Sequence, residues 1–142
     1  MPAIRNLNEL LRSMKPKLMK GEYVFCTIPE KSYMKLNVKP VLIFREKEGI
    51  TIVLNKKIAE KYKFSYTETW AMITLQVYSD LSAIGFLATV TNALASHAIP
   101  VNVVSAYYHD HLFVPSRMAK NAMKILKNLS KSYASSTLKT KK

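Results

Sequence analysis

Residues 79–115 read SDLSAIGFLATVTNALASHAIPVNVVSAYYHDHLFVP. Within this run Ile84, Leu87, Ala88, Thr91, Leu94, Ala95 and Ala98 recur at helical spacing, which predicts one amphipathic helix. Pro100 stops it, because proline lacks the amide the next turn needs. Val101–Ala106 then reads as a strand, Tyr107–Asp110 as a turn and His111–Val114 as the returning strand. Upstream, Ala71–Tyr78 alternates, with Ile73, Leu75 and Val77 on one face, as a half-buried strand does. Downstream, Pro115-Ser116 opens a last helix, in which Ala119, Ala122, Met123, Leu126 and Leu129 form an apolar stripe. The order strand–helix–strand–strand–helix is that of a ferredoxin-like βαββαβ unit lacking its final strand, an α+β class.

The first half repeats the plan less clearly. Ile4, Leu7, Leu10, Leu11 and Met14 predict an N-terminal helix over residues 3–14, limited by Pro16. EYVFCTI (22–28) is a strand bounded by Gly21 and Pro29. Residues 29–39 are short for a crossover helix and read as a loop with at most one helical turn. VLIFRE (41–46) and ITIVL (50–54) form a hairpin around Lys47-Glu48-Gly49, and Asn55 caps a short helix over 56–62. Neither half clearly supplies its own last strand, so the halves are expected to share strands or helices with each other or with a second chain. The expected domains are residues 1–68 and 69–131, followed by a basic, disordered tail at 132–142, rich in Ser, Thr and Lys.

The chain has 142 residues, about half of them apolar, and one cysteine. That suits one medium domain or two very small ones. Cys26 sits in an apolar strand, reads as a buried structural thiol, and fits a reducing cytoplasm. No apolar run is long enough to span a bilayer, so no membrane association is expected. The net charge of +13 is unevenly spread. Residues 1–68 carry +7, residues 69–116 carry no Lys or Arg and two acids, Asp80 and Asp110, and residues 117–142 carry eight Lys or Arg and no acid. The most structured stretch is therefore the least basic.

The opening stretch with its Tyr107-Tyr108-His109-Asp110-His111 and Phe113-Val114-Pro115 resembles the second domain of small tandem ACT-domain proteins. Those share the hydroxyl–x–L–x–x–x–G pattern before the helix, then Asn102-Val103. Glu46–Val53 and LNELLRSMKPKLMKGEYVF are similar to the family's first domain. The resemblance implies a ferredoxin-like fold in tandem ACT domains, with antiparallel sheets and helices on one face. It also implies amino-acid binding that is passed on to a partner.

Ser79, Asp80, Leu81, Ile84, Gly85 and Phe86 join a strand to a helix start. First-turn amides lack intrahelical partners and sit at the positive end of the helix dipole, which suits a ligand carboxylate. Gly85 would allow close approach, and Asp80 would hold an α-ammonium group. The same residues also fit a capped helix packed closely on its sheet. Asn102, with Val103 after it, either caps a loop or donates to a ligand. His109-Asp110-His111 lacks a third spaced metal ligand other than His97 on the preceding helix, and zinc sites need three or four. There Asp110 is expected to close the turn, and a histidine to make ligand binding pH-sensitive. Glu48, Gly49, Ile50 and Thr51 form the equivalent turn of the first half, at a domain interface or simply as a hairpin.

The expected function is thus a regulatory protein, not an enzyme, that binds a small molecule, an amino acid, at an interface between ACT-like halves or between two copies in a homodimer. A protein partner is expected downstream, with no cofactor and no metal. The alternatives are a basic nucleic-acid-associated protein, on account of the Lys-rich final helix, or a structural partner-binding domain. No base-reading motif is present, so specific nucleic-acid binding is not expected.

Overall fold

The computed structural model describes residues 2–140, with side chains to residue 134. The chain folds as two compact units, one formed by Met1–Met19 and Met72–Lys142, the other by Lys20–Ala71. The elements are α1 (Leu7–Ser13), β1 (Pro16–Leu18), β2 (Tyr23–Ile28), α2 (Glu30–Met34), β3 (Leu42–Arg45), β4 (Ile50–Asn55), α3 (Lys56–Lys61), β5 (Trp70–Leu75), α4 (Phe86–Ala95), β6 (Asn102–Ser105), β7 (Asp110–Pro115) and α5 (Ala119–Thr140).

In the Lys20–Ala71 unit, β4 lies between β3 and β2, antiparallel to both. Trp70, at the start of β5, pairs with Tyr23 on the free side of β2. That is the position of the fourth strand the first half lacked. Period-two alternation puts Val24, Cys26 and Ile28 on one face with Ile50, Ile52 and Leu54, where Ala59 of α3 closes a buried cluster. The Cys26 thiol is buried there, and burial raises its pKa, which suits the inert structural role. Asn55 caps α3 as expected, its side chain accepting from the Lys57 amide at 2.9 Å.

In the other unit the strand order is β1–β5–β7–β6. The missing strand comes from the N-terminal segment: Pro16, Lys17 and Leu18 pair antiparallel with Leu75, Thr74 and Ile73. Three residues are too short to show a period, so Pro16 looked only like a helix stop. Helix α1 packs with α4 and α5 in this same unit, burying Leu10, Leu11 and Met14 completely. Asn6 caps it by accepting from the Glu9 amide.

The final helix runs past residue 131. Residues 132–140 continue α5 rather than leaving it. No glycine or proline follows Pro115 in the sequence, so nothing in the chain stops the helix. Residues 141 and 142 lie outside the described residues.

Candidate functional site

The loop between β5 and α4 is fixed from both sides. The Ile4 amide donates to the Tyr78 carbonyl and the Asp80 amide to the Ile4 carbonyl, each at 2.9 Å. Asp80 then shapes the turn, its Oδ1 accepting from the Ser82 amide at 2.7 Å, while Oδ2 lies 3.8 Å from Arg5 Nε. The loop ends on Gly85, whose left-handed φ of 88° precedes α4 and leaves the helix with no side-chain cap. A side chain there would be strained by the backbone conformation itself.

Beside this helix start lies a cavity of about 150 Å³, lined by Ser79, Asp80, Leu81, Gly85, Phe86, Ser105 and Asp110 among others. Asp110 is buried, 5% exposed. It begins β7 opposite Ser105 and accepts a 2.9 Å hydrogen bond from the buried Ser79 Oγ. Among the described residues no Lys or Arg pairs with it. The expectation that Asp110 closes the turn is therefore corrected: β7 starts one residue earlier than the pattern indicated.

Six of the residues singled out from sequence thus surround one cavity: Ser79, Asp80, Leu81, Gly85, Phe86 and Asp110. Ser105, at the end of β6, was missed because a lone serine at a strand end carries no signal. Ile84 is 86% exposed. Asn102, Val103 and His109 do not line the cavity; Asn102 and Val103, on β6, pair with Phe113 and Leu112 of β7. Asp80 and Leu81 also line a second hollow of about 190 Å³ with Ala3, Tyr78 and Tyr107. Glu48, Gly49, Ile50 and Thr51 belong to the Lys20–Ala71 unit. There Glu46 and Gly49 exchange backbone hydrogen bonds across the hairpin, and the Thr51 hydroxyl donates to Glu46.

His111 Nδ1 lies 2.9 Å from Thr74 Oγ1. Burial and the neighbouring His109 hold its pKa below the ordinary histidine value, with Asp110 opposing. The unfolded chain therefore binds the proton first as pH falls. The contribution of His111 to stability is intact above about pH 6.5 and is lost as pH falls below it. His111→Gln removes this titration, so its melting temperature should fall less than the wild type's on acidification. Equal declines in thermal melts would exclude His111 as a source.

Two ACT-domain family models match, one over residues 2–71 and the other over residues 65–128. A protein of unknown function from Vibrio cholerae, described as a possible transport protein, is 40% identical, with 87% of this chain and 95% of that chain aligned at a TM-score of 0.77. This chain belongs to the ACT-domain family, with two ACT domains in tandem. A protein from Agrobacterium tumefaciens is 20% identical over 81% of this chain and 87% of that one, at a TM-score of 0.64. The ligand-free regulatory subunit of aspartate kinase from Thermus thermophilus shares the fold at 10% identity, 82% and 97% coverage and a TM-score of 0.63. No curated protein matches the sequence. Among the described residues no helix is long and apolar enough to cross a membrane.

The first of these matches begins at residue 2, yet α1 and β1 belong to the unit that contains most of the second match. The α+β, ferredoxin-like class read from the strand and helix order holds.

Proposed function

We propose that this ACT-domain chain is a regulatory binding protein whose cavity beside α4 holds a small zwitterion, an amino acid. The observation that carries the reading is the buried Asp110 carboxylate, bonded to a serine hydroxyl and without a Lys or Arg ion pair among the described residues. A buried charge is costly unless paired, and a ligand ammonium supplies the missing partner. The uncapped N-terminus of α4 on the same cavity offers amides to the ligand carboxylate. The ammonium role falls to Asp110 rather than Asp80, whose two oxygens already serve the Ser82 amide and Arg5.

At about 150 Å³ the cavity is well below the roughly 300 Å³ at which drug-sized sites begin. Small amino acids are therefore the favoured class. Leu81 and Ile84, 68% and 86% exposed, lie within the loop and support a homodimer in which a second copy covers the site. A free buried thiol is in keeping with a cytoplasmic location. We assign the protein no catalytic step; occupancy is read by a downstream protein.

Thermal melts with each of the twenty amino acids test this. A ligand at a hundred times its Kd should add about 2.7 kcal/mol of stability. A melting temperature unmoved by all twenty at millimolar concentration would sink the proposal.

A further inference from the structure

The last helix carries a feature that the ligand cavity does not use. Lys120, Lys124, Lys127 and Lys131 are all exposed. At about 100° per residue they fall within an arc of about 60°. The buried residues of α5, Ala119, Ala122, Ile125 and Leu126, occupy the opposite side. Exposed Asn121 and Asn128 lie along one side of the row, and exposed Arg117 precedes it. None of these five cations has a carboxylate within 4.0 Å among the described residues, and residues 117–142 contain no acid at all.

We propose that this outer face of α5 docks the phosphate backbone of double-stranded nucleic acid, irrespective of base sequence. The four lysines span about 17 Å of helix. Over that length one strand of a duplex presents about five phosphates, one per about 3.4 Å. The row is therefore charge-complementary to a linear phosphate array. The described part of the face contains lysine, asparagine and serine but no exposed aromatic ring, so it lacks the stacking platform that single strands require. A membrane is the weaker fit. A helix lying in a lipid surface buries its apolar face there, and the apolar face of α5 is already spent on its own unit.

Fluorescence anisotropy with a labelled duplex of about 20 base pairs tests the proposal on the full-length protein. Affinity should fall with salt at a log–log slope of about −3.6, four cations at about −0.9 each. That is a loss of about 150-fold between about 50 and 200 mM salt. A duplex of unrelated sequence should bind equally. Each single Lys→Gln change in the row should flatten the slope by about 0.9, and the quadruple variant should lose binding while melting like the wild type. A charge-matched control, Lys31, Lys35, Lys57 and Lys61→Gln, should keep it. The proposal is overturned if the duplex does not bind at low salt, or if the control loses binding as fully as the row variant. Preference for anionic phospholipid vesicles or polyglutamate over the duplex would equally overturn it.

Discussion

Asp110→Asn is expected to abolish amino-acid-induced stabilisation while leaving the ligand-free protein at least as stable as the wild type. In the free protein the Asp110 carboxylate is buried against one hydroxyl, that of Ser79. Asparagine keeps an oxygen that accepts from Ser79 Oγ, and it removes the charge. The desolvation cost of that charge is then relieved rather than replaced. In the proposed complex the same change would remove one member of a buried ion pair, at a cost of about 2–5 kcal/mol. In affinity that is about 30-fold or more. Melting curves with and without the amino acid, together with calorimetric titration, read the two effects separately. An undiminished ligand shift in Asp110→Asn would remove Asp110 from the site. A large loss of stability without ligand would make the residue structural instead.

The contrast with Asp80 shows what sequence can and cannot reveal about such a site. Both acids lie in a stretch without Lys or Arg, and both looked like turn residues. Asp80 is one: its bond to the Ser82 amide is local, spans two residues and is legible from the chain alone. The environment of Asp110 is not local, since its partner Ser79 is thirty-one residues away. That meeting depends on β5 and β7 being neighbours in the sheet. Period and capping chemistry located α4, α3 and the hairpin to within a few residues because those signals lie within one element. Gly85 was recognised as a residue for close approach, but its left-handed φ moved the start of α4 past Ile84, and that side chain is left in solvent. The strand completing the second half was invisible for another reason: it comes from the opposite end of the sequence and is three residues long.

That swap of the N-terminal segment yields the second large effect. Leu11→Ala is expected to cost about 2–5 kcal/mol, or about 4–20 °C in melting temperature, and to weaken amino-acid binding as well. Leu11 is fully buried on a helix that packs against α4 and α5. The far end of α1 is held by Ser130 Oγ, which donates to the Arg12 carbonyl at 3.0 Å. At its near end, Ile4 clamps Tyr78 and Asp80, and Leu7 Cδ2 lies 3.6 Å from where a side chain at Gly85 would begin. A cavity under α1 therefore loosens the segment that fixes the β5–α4 loop, although Leu11 does not line the cavity beside α4. Were the two sequence halves self-contained domains, the same substitution would leave the ligand response of residues 79–110 untouched. Thermal melts of Leu11→Ala with and without ligand separate these cases: a lower melting point with a full-sized ligand shift would mean that α1 supports the core but does not hold the site.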